Sequence, residues 1–238
     1  MTPPRVAEPP VNQSVERAAR MLGLFSAEEP ELTLAQVTER MGLTKATAHR
    51  YATALRRAGL LRFAGGAYTL GPRVVELASA ALAGLGVVKL AGPYLERLVE
   101  QTSQTAVLSV WDGEAPVVVR VADNTDRLVR IVVVTGSRLP RDSAQAKVFR
   151  ACMGENGDAE LAAVRETGLA FYAHVIEGIA ALAAPVFQGE DIVATLALVG
   201  TTVSIEQGGE GLGRALAAAA DALSTELGFV QAQRRDAP

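Results

Sequence analysis

Residues 32–70 contain the feature that most constrains the fold: two short amphipathic segments separated by a glycine and followed by two β-rich segments. Thr33 precedes the first segment and Gln36 follows three residues later, the capping-box pattern that begins a helix. Gly42 is typical of a helix C-terminus, and Thr44 is a good N-cap for a second helix. The pattern therefore predicts two helices joined by a short turn.

The second predicted helix ends near Gly59 and is followed by a hairpin. Its inward-facing side chains are expected to be Ala48, Tyr51, Ala52 and Leu55. Residues 62–63 and 67–70 are β-rich, and the two glycines between them suit a tight turn. Two helices followed by such a hairpin indicate a winged helix-turn-helix with a recognition helix and a wing.

The charge distribution separates this N-terminal part from the rest of the chain. No Asp or Glu occurs between Glu39 and Glu76, an interval that holds seven Lys or Arg residues and His49. Residues 12–70 carry eight Lys or Arg against five Asp or Glu, a net charge of +3, whereas residues 71–238 carry fourteen against twenty, a net charge of −6. A basic module joined to an acidic one indicates that only the first contacts phosphates. A solvated helix face without a partner is the alternative.

Composition narrows the class of protein further. With 238 residues, of which 49% are hydrophobic and 21% charged, the chain is typical of an ordered globular protein with two domains. It contains no apolar stretch of the roughly 18 residues that a membrane helix needs, and its N-terminus lacks the hydrophobic core of a signal peptide. We therefore expect a cytoplasmic protein without membrane contact.

Cys152 is the only cysteine, so an intrachain disulfide is excluded. With only two histidines as further candidate ligands, a metal site or other cofactor is not expected. Cys152 itself is expected to be buried.

The chain divides into a DNA-binding domain, a linker and a second domain. Four prolines predict a disordered arm over residues 1–11. Ser14 is expected to cap a first helix from Val15 to about Ser26, which completes the domain over residues 12–72. A polar break separates this helix from Thr33.

Residues 73–90 predict a linker helix with an apolar stripe. The stripe consists of Val74, Leu77, Ala78, Ala81, Leu82 and Leu85. It packs either against its own domain or against the same helix of a second subunit, and the sequence does not decide between these. Ala91–Gly92–Pro93 is expected to interrupt the helix, which then continues over residues 94–101.

Residues 91–238 predict a domain of strands and helices. The predicted strands are 105–111, 116–122, 128–135, 179–187 and 192–200. The predicted helices are 143–153, 158–167 and 211–229. Hairpins flanked by helices are typical of an α+β domain in which one face of the sheet is covered.

Several short motifs occur along the chain in a fixed order. The N-terminal ones are Ser14–Val15–Glu16–Arg17–Ala18, residues 43–50 and residues 68–73, and the C-terminal ones are residues 136–140, residues 183–186 and the strand that ends at Gly200. Over about residues 14–230 they resemble the IclR family of bacterial transcription regulators. This resemblance implies an α+β chain with a winged helix-turn-helix, a linker helix and a GAF-like effector-binding domain built on an antiparallel sheet. It also implies homodimers, often paired into homotetramers, that bind operator DNA and respond to a small metabolite.

The resemblance implies which residues read DNA. They are Thr44, Lys45, Thr47, His49 and Arg50, at the start of the second helix of the motif. In such a helix the N-terminal residues reach base edges, while flanking cations contact phosphates. Arg50 is the best candidate for a bidentate contact with guanine, and Lys45 is expected on a phosphate. Arg62, at the start of the wing, is expected near the DNA backbone.

The resemblance also implies an effector cavity. Its lining would include Ser143, Ala144, Gln145, Ala181 and Ala183. A helix N-terminus near Ser143 presents free N–H groups that suit a carboxylate. This chain departs from the family pattern in three places. Residues 142–147 lack the usual glycine, and Ala181 stands where many members have cysteine.

The third departure replaces a common acidic cluster with Phe171–Tyr172–Ala173–His174. It adds Phe171 and His174 to the candidate lining and favours an aromatic or hydrophobic effector. A filled pocket is the alternative, and a lone histidine such as His174 is more often a loop residue than a ligand contact.

These observations predict an effector-responsive transcription regulator, a repressor, that is not an enzyme. One alternative is a ligand-independent DNA-binding regulator with a collapsed pocket. Another is an enzyme with an accessory DNA-binding domain, for which Ser143, Lys147, Asp142 and His174 would be the candidate groups. No nucleophile elbow or dinucleotide loop in the sequence supports the enzyme.

Overall fold

The computed structural model describes two compact units, one that extends to Ala81 and one that begins at Leu82. The described residues are 12–123, 131–156, 158–173 and 177–228. The arm predicted over residues 1–11 and the candidate residue His174 lie outside them. The division between the units falls inside the linker predicted over residues 73–90.

The N-terminal unit combines helices with a small antiparallel sheet. Its elements are α1 (Gln13–Leu22), β1 (Glu31–Thr33), α2 (Leu34–Met41), α3 (Lys45–Arg57), β2 (Leu61–Ala64) and β3 (Ala67–Leu70). The strands lie in the order β1-β3-β2, and β2 and β3 form the predicted hairpin. Gly65 and Gly66 in its turn have φ of 60° and 85°, a conformation that a two-residue hairpin turn requires and glycine adopts without strain.

Local capping signals begin and end the two helices of the motif, as predicted. Thr33 Oγ1 accepts a hydrogen bond from the Gln36 N–H at 3.3 Å, and the Gln36 side chain accepts one from the Thr33 N–H at 2.8 Å. Gly42 ends α2 in the left-handed conformation. Thr44 caps α3 by accepting a hydrogen bond from the Thr47 N–H at 3.3 Å. The predicted helix-turn-helix is therefore confirmed.

One apolar core joins the elements of this unit. It includes Met21 of α1, Val37 of α2, Leu55 of α3 and Leu61 of β2, each at most 6% exposed. Burial of one such side chain contributes about 1.5–3 kcal/mol, so tertiary packing holds α3 in place. Tyr51, predicted for the core, is only half-buried, because its hydroxyl reaches Ser14 Oγ at 3.4 Å.

The predicted bounds of the first helix are wrong. Asn12 caps α1 by accepting a hydrogen bond from the Ser14 N–H at 3.1 Å, so Ser14 lies inside the helix. The helix ends before Gly23 and does not reach Ser26. The polar break before Thr33 includes strand β1, which pairs with β3. A strand this short has no periodicity of its own and exists only through its partner.

The predicted linker helix is broken at another place than expected. Helix α4 covers Pro72–Gly84 and α5 covers Gly86–Thr102, and Leu85 between them has extended backbone. Pro93, expected to interrupt the helix, lies inside α5. A proline removes a single N–H donor that the helix can lose, whereas glycines on both sides of Leu85 lower helix propensity over consecutive residues.

The apolar side chains of α4 are uncovered in the described part of the chain. No residue of α4 is buried, and Val75 and Leu77 are 67% and 52% exposed. Among the described residues no single helix is long and apolar enough to cross a membrane. Only α4 and α5 taken as a pair, bent at their break, reach the necessary length and composition.

The C-terminal unit is an antiparallel sheet between two layers of helices, which confirms the α+β class. Besides α5 its elements are β4 (Thr105–Trp111), β5 (Pro116–Ala122), α6 (Ala144–Cys152), α7 (Ala159–Thr167), β6 (Ala170–Tyr172), β7 (Ile179–Gln188), β8 (Asp191–Thr201) and α8 (Thr202–Glu226). The strands lie in the order β5-β4-β8-β7-β6. Both predicted hairpins are confirmed, and every neighbouring pair is antiparallel.

Both faces of this sheet are covered, so the prediction of one covered face is wrong. Leu108 and Leu198 belong to a first cluster with α5 and α8, whereas Val107 and Ala197 belong to a second cluster with α6 and α7. Successive side chains of a strand point to opposite faces. Strands buried on both faces therefore form continuous apolar runs, such as residues 196–199.

Residues 131–134, the described part of the strand predicted over 128–135, do not form a strand. Their side chains do alternate, with Val132 70% exposed and its neighbours packed on the second cluster. The residues that follow them pair with β5 instead: the Gly136 N–H donates to the Val118 carbonyl at 2.7 Å, and Val117 and Arg138 form an isolated antiparallel bridge. Alternation alone therefore does not establish a strand.

Three further differences concern the C-terminal half. Helix α8 begins at Thr202, well before Gly211, and contains a non-helical residue at Gly209 (φ 38°, ψ −125°), so its glycine-rich first half hides its start in the sequence. Strand β6 is absent from the prediction because it is short. Cys152 is exposed at the end of α6 and not buried. The predicted end of the last helix at Phe229 lies outside the described residues.

Candidate nucleic-acid interface and effector site

The first turn of α3 is exposed to solvent. Thr44 and Thr47 are linked at the cap, where the Thr44 hydroxyl donates to Thr47 Oγ1 at 2.9 Å. Lys45, His49 and Arg50 are exposed. No Lys or Arg of α3 forms an ion pair with any residue that the structure describes. These cations are therefore available to an external anion.

Helical spacing sorts the cations of α3 into two rows. Arg50 and Arg57 lie opposite the buried face of the helix, because a rotation of 100° per residue places them across the axis from Ala52 and its buried neighbours. Lys45, His49 and Arg56 share a flank between the buried and outer faces. The five residues predicted at the helix start therefore lie at the same end of α3, with Arg50 in a different row from Lys45 and His49.

Arg62 lies on the wing but apart from this group. Its neighbours on β2, Leu61 and Phe63, face the core and α3, and Leu61 is 3% exposed. Because strand residues alternate between faces, Arg62 projects from the opposite side of the wing. It is exposed there and its backbone pairs with Thr69 of β3.

Arg17 of α1 is a cation near α3 that the sequence does not predict as part of the DNA interface. The hydrogen bond between Tyr51 and Ser14, together with the Arg17 and Arg50 cations nearby, holds the pKa of the Tyr51 hydroxyl below its ordinary value. Arg17 of α1 therefore lies close to the recognition helix. Only the tertiary contact between α1 and α3 reveals this, because nothing in the local sequence relates the two positions.

The N-terminus of α6 is buried against the sheet. Ser143 caps the helix, with its Oγ accepting a hydrogen bond from the Ala146 N–H at 3.2 Å. Ser143, Ala144 and Gln145 are 3%, 0% and 4% exposed. Buried polar residues at a helix N-terminus, where backbone N–H groups lack helical partners, can bind an anion.

Two of the predicted sheet residues lie on the face beneath α6, and one does not. Ala181 and Ala183 belong to the same cluster as Ala144. Phe171 is 43% exposed and lies opposite Leu182, which packs on the other face of the sheet. Phe171 is therefore not brought together with the residues around α6.

Two buried hydroxyls on this face were not found from the sequence. Ser109 of β4 and Thr195 of β8 lie directly opposite each other, and both are 0% exposed. Strand alternation places them on the face of Val107 and Ala197, the side that α6 covers. Neither hydroxyl has a hydrogen-bond partner among the described residues. A buried hydroxyl without a partner costs stability, so such a pair is a marker of a ligand site.

The sequence did contain a signal for these hydroxyls. Ser109 and Thr195 interrupt runs of apolar residues at positions where the strands are otherwise buried. Their pairing across β4 and β8 joins segments that are far apart in the chain, so it could not be derived locally.

Three of the four polar groups named for an enzyme, Ser143, Lys147 and Asp142, are engaged in structural contacts, and the fourth, His174, lies outside the described residues. Tyr172 donates a hydrogen bond to Asp142 Oδ2 at 2.5 Å, which lowers the pKa of Asp142 and raises that of Tyr172. Lys147 Nζ lies 2.6 Å from Glu160 Oε2, and Ser143 is the cap of α6. Within the described ranges no three His, Cys, Asp or Glu residues are grouped as metal ligands.

Comparison with known proteins relates the chain to one family of regulators. Residues 14–65 match the IclR helix-turn-helix domain family. The HTH-type transcriptional regulator Rv1719 of Mycobacterium tuberculosis is 34% identical over 154 residues, which cover 64% of this chain and 54% of Rv1719. The transcriptional repressor IclR of Escherichia coli is 29% identical over 201 residues, which cover 81% of this chain and 70% of that protein. The match thus spans about half the length of the first relative.

Solved structures share the fold over nearly the whole chain. An IclR transcriptional regulator from Alicyclobacillus acidocaldarius superposes with a TM-score of 0.75 at 26% identity, covering 92% of this chain and 100% of that one. An IclR homologue from Microbacterium hydrocarbonoxydans, complexed with 4-hydroxybenzoate, has a TM-score of 0.74 at 20% identity, covering 90% and 99% of the two chains. The second likeness concerns the fold alone.

Proposed function

Because this chain belongs to the IclR family of transcription regulators, we propose that it is a repressor that binds operator DNA through α3 and is controlled by a small molecule bound beneath α6. The observation that carries the proposal is the exposed, acid-free first turn of α3. A helix in this position of a winged helix-turn-helix lies in the major groove of DNA.

Each candidate side chain has a distinct role in this proposal. Arg50, on the outermost face of α3, reads a guanine through its two parallel N–H donors. Lys45 and His49 follow the flank of the helix, where Lys45 contacts a phosphate. Thr44 and Thr47 contact the duplex where α3 begins. Arg62 contacts the backbone from the wing.

The effector is proposed to be a small carboxylate or aromatic metabolite. The N-terminus of α6, with Ser143 and Gln145, offers N–H donors to a carboxylate. Ser109 and Thr195 supply hydroxyls with no partner in the described chain. Ala144, Ala181 and Ala183 are small apolar side chains of one cluster and would line the apolar body of such a ligand. The complex of a structural relative with 4-hydroxybenzoate, which carries both an aromatic ring and a carboxylate, supports this class.

Repression requires that the two units communicate. Two copies of α3 in a dimer must match half-sites about 34 Å apart or a multiple of that spacing. The uncovered apolar side chains of α4, including Val75 and Leu77, are the proposed contact between copies. A ligand that binds one dimer arrangement more tightly shifts the spacing of the recognition helices and hence the affinity for DNA. Relatives named as repressors support the sign of regulation.

The test uses the full chain and a random pool of duplexes. Repeated selection should enrich a two-fold symmetric sequence, and affinity for it should fall steeply with salt, as phosphate contacts require. Enrichment of no sequence, with affinity insensitive to salt, would contradict DNA binding by α3. Thermal unfolding with 4-hydroxybenzoate and other small acids tests the effector site, because a bound ligand raises the melting temperature.

A ligand-independent regulator is the second candidate. The observation that favours it is the close packing of Ala144, Ala181 and Ala183 in one apolar cluster, with Ala144 and Ala183 0% exposed. If this packing fills the site, no small acid changes the melting temperature while the selected duplex still binds.

A further inference from the structure

The wing carries an aromatic ring at the edge of the core. Phe63 on β2 is 46% exposed and pairs with Tyr68 of β3. The two ring centroids are 4.8 Å apart at an angle of 51°, a favourable geometry for an aromatic pair. Tyr68 is 3% exposed, so Phe63 extends the core to its outer rim, next to the last turn of α3.

Arg56 covers the outer side of this ring. Its Cζ lies 5.5 Å from the centroid of Phe63, which is within cation–π range. Arg56 has no ion-pair partner in the part of the chain that the structure describes. A cation–π contact engages the charge through the face of the ring and leaves guanidinium N–H donors available to an anion.

The position of Arg56 suits a phosphate and not a base. A helix rises 1.5 Å per residue, so Arg56 lies about 16 Å along the axis from Lys45. The major groove is about 12 Å wide. When the first turn of α3 lies in the groove, its last turn therefore lies over the sugar-phosphate backbone at the groove edge. Arg62 projects from the opposite side of the wing.

We propose that Phe63 is a positioning residue that fixes Arg56 against a backbone phosphate, and that this helix–wing contact supplies a cation of the DNA interface. The inference rests on the proposed function, because it requires that α3 binds a duplex. It assigns Arg56 a sequence-independent contribution and gives Phe63 a role that acts only through Arg56.

A double-mutant cycle on the full chain tests this. The probes are a labelled duplex selected from a random pool by the wild type and an unrelated duplex of equal length, at several salt concentrations. Arg56→Ala should weaken both duplexes by the same factor, roughly 5- to 10-fold at 0.1 M salt, and reduce the salt slope by about 0.9. Phe63→Leu, which keeps apolar cover without a π face, should weaken both about 2- to 5-fold. Phe63→Trp, which keeps a π face beside Arg56, should bind both duplexes as the wild type does.

The coupling between the effects of the two substitutions on duplex affinity distinguishes a positioning role of Phe63 from a purely structural one. In the Arg56→Ala background, Phe63→Leu should have no further effect. Arg57→Ala is the matched control, because it removes the same charge from the next residue, and its effect should multiply independently with that of Phe63→Leu. Thermal unfolding verifies that each variant is folded.

Independent effects of Arg56→Ala and Phe63→Leu, or a folded Phe63→Leu with wild-type affinity, would overturn the inference and leave the proposed function standing. Failure of the wild type to bind either duplex would overturn both.

Discussion

Both the proposed DNA interface and the proposed effector site contain polar side chains that have no partner among the described residues. Arg50 is exposed and forms no ion pair with a described residue, whereas Ser109 and Thr195 are fully buried without a described hydrogen-bond partner. An exposed cation without a partner costs little, because water solvates it. A buried hydroxyl without a partner costs about 1–3 kcal/mol. The two hydroxyls are therefore the stronger physical evidence for a ligand.

Replacement of Arg50 tests the recognition helix. Arg50→Ala should cost about 1–3 kcal/mol of binding free energy for the selected duplex and relax the preference at one base pair. The measurement is a titration at fixed salt against duplexes that vary at each position. Lys45→Ala is the comparison, because loss of a phosphate contact weakens all sequences alike and flattens the salt dependence. Wild-type affinity and preference in Arg50→Ala would show that α3 does not read bases there.

Replacement of Thr195 tests the effector site. Thr195→Val keeps the shape of the side chain and removes the unpartnered hydroxyl, so it should raise the free energy of unfolding by about 1 kcal/mol. It should also abolish the melting-temperature increase that an effector produces. Thr105→Val is the control, because Thr105 Oγ1 donates to Asp123 Oδ1 at 3.1 Å and its loss should destabilise. If Thr195→Val destabilises as Thr105→Val does, the hydroxyl has a structural partner and no ligand role.

Elements were predictable where a local signal fixes their ends. The capping box of Thr33 and Gln36 identifies α2, and Thr44 identifies the start of α3. Two elements lack such signals: β1 exists only through β3, a strand distant in sequence, and β6 is only three residues long. A proline is the stronger local signal and predicts a break at Ala91–Gly92–Pro93, whereas the helix breaks at Leu85 and α5 contains Pro93.

The features of the two candidate sites also differ in whether a local sequence signal predicts them. The exposed start of α3 follows from local spacing, and so does the cap at Ser143. The facing hydroxyls on β4 and β8 and the contact of Arg56 with Phe63 depend on pairings between separate segments. A single sequence carries no record of such pairings.

The capping box gives a prediction for α2. Thr33→Ala removes an acceptor for the Gln36 N–H and should lower the free energy of unfolding by about 0.5–2 kcal/mol. Thr33→Asp is the control, because aspartate also caps helices and should preserve stability. Chemical unfolding of the full chain, followed in the transition of the N-terminal unit, measures both. Equal stability of Thr33→Ala and wild type would mean that tertiary packing alone fixes the start of α2.

Helix α4 gives a prediction about assembly. Leu77→Glu places a charge in the uncovered apolar stripe and should shift the proposed dimer to a monomer, because the proposed apolar contact between copies would be lost. Light scattering measures the mass, and duplex binding should weaken in parallel. Ser79→Glu, on the same helix but outside the stripe, is the control. A wild-type mass for Leu77→Glu would exclude α4 from the interface between copies.

At the scale of the whole molecule, the N-terminal part of the chain is basic and the C-terminal part is acidic. The net charge of +3 over residues 12–70 favours an anionic partner such as the proposed duplex, whereas the net charge of −6 over residues 71–238 repels one. Regulation then requires a coupling free energy between the two sites, typically about 1–3 kcal/mol.

That coupling is most directly tested by measuring the dissociation constant of the full chain for its selected duplex, with and without a saturating small acid that raises its melting temperature. We expect a change of about 5- to 150-fold, and by reciprocity the same factor in the affinity for the acid when the chain is saturated with duplex. Equal dissociation constants in the two conditions would contradict effector control of DNA binding.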